Sequence, residues 1–136
     1  MKVVLDTNAL LVILPEKSKF HHVFQALRRN KFLICFTTEI LFEYEEVFSR
    51  RYSSENIIEL FVELVDTQRS KFISTSFRFN LIQADPDDNK FVDCAIAANA
   101  DYIVTNDKHF DILSTIPFPK VEILTLQAFQ KILSSQ

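Results

Sequence analysis

The order of apolar and polar positions divides the chain into short elements. Lys2–Asp6 is a run of branched aliphatic residues ending on an acid and reads as a buried strand. Phe20–Arg29 places Phe20, Val23, Phe24 and Leu27 at the i, i+3, i+4, i+7 spacing of an amphipathic helix. Phe32–Phe36 is a second apolar strand. Thr38 is then a cap for a helix reaching about Arg50, with Ile40, Leu41, Tyr44, Val47 and Phe48 on its inner stripe. Ser54–Arg69 repeats the helical spacing, and Phe72–Ser76 is a weaker strand or connector. The turn-forming run Ala84-Asp85-Pro86-Asp87-Asp88-Asn89 leads into a helix over roughly Asp88–Asn99. Asp101–Thr105 and Val121–Leu124 are further strands, and Thr125 caps a last helix over Leu126–Leu133.

Strands alternating with helices predict an α/β fold with a parallel or mostly parallel sheet covered on both faces, because a parallel crossover needs a helix to return the chain. Repeats, low-complexity segments and linkers are absent from the sequence, so residues 1–136 read as a single domain.

Composition narrows the chemistry. A hydrophobic fraction of 48% with 24% charged residues matches an ordinary globular chain and argues against disorder. Apolar runs fall far short of the ~20 residues of a membrane span, and the N-terminus reads as a strand, not a signal sequence, so a cytoplasmic location is expected. A net charge of −3 argues against coating nucleic acid through global positive charge but permits a local basic rim. The chain contains no glycine, which excludes the Gly-rich phosphate loops of nucleotide-cofactor enzymes. Cys35 and Cys94 sit inside apolar runs and read as free buried thiols.

Four acids occupy positions that a purely structural design avoids. Asp6 and Asp107 lie at or just past the carboxyl ends of strands, the edge where open α/β sheets bind ligands. Asp93 interrupts the most apolar helix, and Glu43 lies among Leu41, Phe42 and Tyr44. Each has an ordinary explanation alone: a helix cap for Asp6 and Asp107, an exposed helix glutamate for Glu43, a pairing with Lys90 for Asp93. If they converge, carboxylates within ~4–6 Å of one another raise each other's pKa and call for a cation. Oxygen ligands select Mg²⁺ or Mn²⁺ over zinc, and His21, His22 and His109 lack zinc-ligand spacing with the cysteines. Such an ion activates water toward a phosphodiester without a protein nucleophile, and no catalytic triad is evident.

Taken in series, Val4-Leu5-Asp6-Thr7-Asn8, Glu43, Asp93-Cys94-Ala95-Ile96-Ala97-Ala98 and Ala100-Asp101-Tyr102-Ile103-Val104-Thr105-Asn106-Asp107 resemble the signatures of PIN domains. The likeness is to the toxin components of bacterial and archaeal toxin–antitoxin pairs and runs from Lys2 to about Leu133. It implies a PIN-like, Rossmann-like three-layer fold, dependence on Mg²⁺ or Mn²⁺, and endonucleolytic cleavage of single-stranded RNA. It also implies metal ligation by Asp6, Glu43, Asp93 and Asp107, with Asn8 and Thr105 orienting those carboxylates. Asp88 resembles an acid of one branch of the family that shares or replaces the role of Asp93; both are kept, with Asp93 preferred. Asp111 is a weaker candidate. Asn106 stands where the family often has a small residue or glycine.

RNA phosphates would meet Arg50 and Arg51 at the end of the Glu43 helix, together with Lys90, Lys108 and His109. Arg28-Arg29-Asn30-Lys31 reads as an ordinary basic helix terminus. Fourteen phenylalanines are more than a small core commonly needs, and Ser76-Phe77-Arg78-Phe79 is a candidate surface for an antitoxin or a second copy of the chain. The expected function is a metal-dependent endoribonuclease, the toxin of a toxin–antitoxin pair. The alternatives are a catalytically silent PIN-like binding module and a housekeeping or DNA nuclease on the same scaffold.

Overall fold

In the computed structural model, which describes residues 1–136 apart from the side chain of Ser54, five short strands form one sheet. They are β1 (Lys2–Leu5), β2 (Leu33–Phe36), β3 (Ser70–Phe72), β4 (Tyr102–Val104) and β5 (Ile123–Leu124), in the spatial order β3-β2-β1-β4-β5. Each neighbouring pair is parallel, so the sheet is wholly rather than mostly parallel. The order reverses at β1, which has β2 on one side and β4 on the other. That reversal opens a crevice beyond the carboxyl ends of β1 and β4, the usual ligand position in such sheets.

Six α-helices surround the sheet: α1 (Thr7–Ile13), α2 (His21–Arg28), α3 (Thr38–Ser49), α4 (Ser54–Leu64), α5 (Asn89–Ala98) and α6 (Leu126–Ser134). Val3, Val4 and Leu5 of β1 are all fully buried, although successive side chains point to opposite faces. Both faces of the central strand are therefore covered, as a three-layer α/β fold requires. Tyr44 of α3 is fully buried and donates its hydroxyl to the Leu5 carbonyl at 2.5 Å. This bond ties α3 to the carboxyl end of β1 and brings Glu43, the preceding residue, toward Asp6. Cys35 and Cys94 are buried free thiols.

Several boundaries differ from expectation for local reasons. Helix α1 was not anticipated: Ala9–Leu14 is apolar without interruption, so it carries no helical period, yet Asp6 caps it by accepting from the Asn8 N–H. Thr37, not Thr38, caps α3, its side chain accepting from the Ile40 N–H. Helix α4 stops at Leu64 rather than near Arg69. Past it, Asp66 accepts from the Gln68 N–H and pairs with Arg69 at 3.2 Å, making a turn that feeds β3. Strand β3 accordingly begins at Ser70 and ends at Phe72, and the segment to Asn80 is irregular. The Thr125 cap of α6 is as expected, accepting from the Ala128 N–H.

A chain without glycine still needs left-handed backbone. Asn30, Asn80 and Asn99 supply it with φ of 60°, 53° and 51°, asparagine being the residue that tolerates this region best after glycine. Asn99 ends α5 in this conformation, and the chain turns directly into β4.

Candidate active site

At the crevice, Thr105 joins the two strand-end acids. Its hydroxyl donates to Asp6 Oδ2 at 2.7 Å and accepts from the Asp107 N–H at 3.0 Å. Asp6 also accepts from the Asn8 backbone N–H at 3.3 Å, so residue 8 orients this carboxylate through its main chain, not its side chain. Burial pushes the Asp6 pKa up against these hydrogen bonds, and the charges of Asp107 and Glu43 add to the rise. Asp6, Asn8 and Asp107 line one cleft with Ala9, Val12, Asn106 and Leu126. Asn106 points its side-chain oxygen away from this chemistry, accepting from the Leu126 N–H at 3.1 Å.

A second group stands beside the first. The 3-10 turn Pro86–Asp88 ahead of α5 and the 3-10 helix Lys108–Thr115 after Asp107 bring Asp85, Asp88 and His109 together, with one ligand atom of each within 4.8 Å of the others. His109 Nδ1 lies 3.4 Å from Asp107, 3.6 Å from Asp88 and 3.8 Å from Asp85. The Asp88 side chain is 13% exposed, and its Oδ2 is buried with no hydrogen-bond partner. Burial, then the charges of Asp85, Asp107 and Asp6, push the Asp88 pKa to about 6.

Glu43 behaves differently. Its Oε2 accepts from the Thr7 hydroxyl, and its Oε1 is 2.6 Å from the Lys90 ammonium. Lys90 also binds Asp87 through Oδ1 at 2.7 Å and the carbonyl at 2.9 Å. The Lys90 side chain is only 6% exposed. Burial opposes its charge, yet the hydrogen bonds to Asp87 and Glu43 outweigh that and hold its pKa above the ordinary value. Lys90 is thus engaged with Glu43 and Asp87.

Asp93 is also placed apart from its expected company. It is 9% exposed and accepts from the Phe79 N–H at 3.1 Å. Burial raises its pKa, and the charges that act on it are those of Arg78 and Glu39, not those of Asp6 or Asp107. It faces a cavity of about 300 Å³ with Glu39, Phe77, Arg78 and Asn80. Of the two candidate acids, Asp88 in the turn ahead of α5, and not Asp93 within the helix, shares the electrostatic neighbourhood of Asp6 and Asp107. The physical reason is helix phase, since five residues turn a helix by well over one full turn and face Asp93 toward the Phe77–Asn80 segment.

The remaining basic candidates lie on the outside. Arg50 caps α3 seven residues past Glu43, roughly 10 Å along the helix axis, and is paired with Glu46 at 2.9 Å. Arg51 and Lys108 are exposed, the latter next to Asp107, and Asp111 is an exposed residue of the 3-10 helix. Sequence reasoning passed over Thr7 and Asp85. Thr7 stands in the Asp-Thr-Asn triplet beside the first acid, and Asp85 opens the acid-rich turn; their positions were visible there, their partners were not.

A family model described as PIN domain matches residues 2–109. The chain belongs to the PIN-domain family. No curated protein matches it in sequence. Among solved structures, this PIN domain is similar to a chain of VapBC2 from Rickettsia felis, whose crystal structure is described as bound to a DNA fragment from their promoter. The TM-score is 0.62 at 19% identity, over 92% of this chain and 98% of that one. The likeness extends to the fold.

The residues of the crevice fit a divalent cation. An unpartnered carboxylate oxygen buried beside other acids is costly unless something positive meets it. Asp88 Oδ2 accepts no hydrogen bond, has only the His109 ring near it at 3.6 Å, and lies within the electrostatic reach of Asp6, Asp107 and Asp85.

Proposed function

We propose that this PIN domain is a divalent-metal-dependent endoribonuclease acting on single-stranded RNA, and the toxin partner of a toxin–antitoxin pair. The observation that carries the reading is the Asp88 oxygen that accepts no hydrogen bond and feels the charges of Asp6 and Asp107. In this reading Asp6, Asp88 and Asp107 hold the ion, and Glu43 completes the acidic edge. Carboxylate oxygens suit Mg²⁺ or Mn²⁺. Such an ion supplies Lewis acidity and a lowered pKa for attacking water.

The chain's own groups do the positioning. Thr105 fixes Asp6 relative to the Asp107 backbone, and Tyr44 fixes α3 against β1. Lys108, exposed beside Asp107, is placed to meet a phosphate, while Arg50 and Arg51 are farther along α3 and meet a longer RNA outside the reacting bond. The partner assignment is supported by the PIN-domain match and by the fold shared with a chain of VapBC2, a toxin–antitoxin complex. A protein antitoxin is thus the proposed partner, with self-association into a homodimer as a further expectation. Among the described residues no helix is long and apolar enough to cross a membrane.

The test is cleavage of a mixed single-stranded RNA pool in Mg²⁺, Mn²⁺ or chelator, with a DNA pool alongside. Cleavage of RNA that needs the ion and is lost in Asp6→Asn is expected. Ion-independent cleavage, or equal cleavage by the variant, overturns the metal mechanism; preferential cleavage of DNA overturns the substrate.

A further inference from the structure

We infer that Lys90 serves as a fixed cation of the acidic edge, neutralising Glu43 so that the site takes one divalent ion, at Asp6, Asp88 and Asp107, and not a pair. The inference rests on the proposed nuclease reading and settles within it how many ions the chain accommodates. An ammonium has three donors and no acceptor. Two of those of Lys90 go to Asp87, to Oδ1 at 2.7 Å and to the carbonyl at 2.9 Å, and the ammonium forms an ion pair with Glu43 Oε1 at 2.6 Å. The ammonium is therefore engaged by protein oxygens on two elements.

It is also held in place. Asp87 and Lys90 are three residues apart across the start of α5, on one face of the helix. With its side chain 6% exposed, Lys90 cannot swing into solvent without leaving the half-buried Glu43 carboxylate unpaired, whereas Asp87 is open to water. Glu43 is occupied at both oxygens, by Lys90 and by the Thr7 hydroxyl. A second divalent ion, ~3.5–4 Å from the first, needs a further carboxylate to share. Glu43 is the acid that faces Asp6 from α3, and a positive charge already occupies that side. The other side of Asp6 has no such ammonium: Asp88 Oδ2 accepts no hydrogen bond and has only the His109 ring at 3.6 Å. One half of the edge is neutralised from within; the other has three acids around one imidazole and is left for a cation from solution.

The experiment is Mn²⁺ binding to the metal-free full chain, with bound ions counted by electron paramagnetic resonance of the free ion and affinity read by calorimetry. One ion is expected in the native chain and in Glu43→Gln, with affinities within about threefold of each other. Lys90→Met uncovers Glu43 and gains a second, weaker ion. Two ions in the native chain overturn the inference and leave the nuclease reading standing, whereas no ion at all overturns both. A loss of affinity beyond about tenfold in Glu43→Gln, the size expected when an ion's ligand shell is disturbed, makes Glu43 a ligand and overturns the inference. So does a Lys90→Met chain that still takes one ion. The native chain and Glu43→Gln decide the matter if Lys90→Met fails to fold. A purely structural role for Lys90 would alter stability but not the count of ions.

Discussion

On one side of Asp6, Glu43 and Asp87 share the Lys90 ammonium at 2.6 and 2.7 Å; on the other, Asp85, Asp88 and Asp107 gather around the ring of His109 at 3.4–3.8 Å. Both groups sit at the carboxyl edge of the same sheet, and both draw residues from the segment that opens α5. The first is a closed ionic network, stable as it stands. In the second, burial first and then the charges of Asp85, Asp107 and Asp6 push Asp88 to about 6, while hydrogen bonding to Lys90, ahead of any other influence, holds Asp87, one residue away, below the usual range. Adjacent residues of one turn are thus opposite in character. A buried charge paired within the protein contributes to holding the fold; a buried charge left unpaired weakens the ion-free fold and creates affinity for a ligand.

Removing a charge from each half should change stability with opposite signs. Glu43→Gln leaves the buried Lys90 with one carboxylate instead of two. Breaking a hydrogen bond to a charged buried group costs about 2 kcal/mol, and thermal denaturation of the ion-free chain should show a melting temperature lower by more than about 5 °C. An unchanged or higher melting temperature would mean that the ionic network contributes nothing.

The next largest effect is on pH. Asp88 has a folded-state pKa of about 6, above its ordinary 3.8, so between these values the native chain binds more protons than the unfolded one. The stability associated with that proton is fully present below about pH 4 and is lost as pH rises through about 6. The ion-free protein should therefore become less stable across this window, and added Mn²⁺ should stabilise it more at pH 7.5 than at pH 5. Asp88→Asn should flatten the pH dependence and raise the melting temperature at pH 7.5 by a few degrees, while removing the response to Mn²⁺. Parallel pH curves for the native chain and the variant would exclude Asp88 as the source.

The acids were legible because they break local patterns. Asp6 and Asp107 end apolar strands, and the alternation of elements alone puts strand ends on the binding edge; the PIN-domain match over residues 2–109 agrees with that fold. Thr105 was legible as a polar end to Tyr102-Ile103-Val104. The role of Lys90 was not. A lysine beside an acid-rich turn looks solvated in sequence, and only the packing of α3 against α5 shows that it reaches Glu43, 47 positions earlier. Helix α1 was hidden by an apolar run without period, and the end of α4 by a helical spacing that continues past the turn set by Asp66 and Arg69. The direction in which Asp93 faces was not legible, because helix phase relative to the sheet cannot be read from an apolar helix whose faces are nearly all buried.

Asp93 is the sharpest control, because the expected effect is the smallest. Its carboxylate already has a raised pKa through burial and makes one hydrogen bond, from the Phe79 N–H, that an asparagine oxygen can equally accept. Asp93→Asn should accordingly shift stability by less than about 1 kcal/mol. Mn²⁺ affinity should stay within about threefold of the native chain, against a loss of more than about 100-fold for Asp88→Asn, since only the latter removes a proposed ligand. The two variants differ in position by five residues of one segment and are identical in chemistry, so a nonspecific effect of lost negative charge would weaken ion binding equally in both. Comparable loss in both variants would mean that charge alone attracts the ion; a larger loss in Asp93→Asn would return the site to the α5 face from which the Asp88 geometry displaced it.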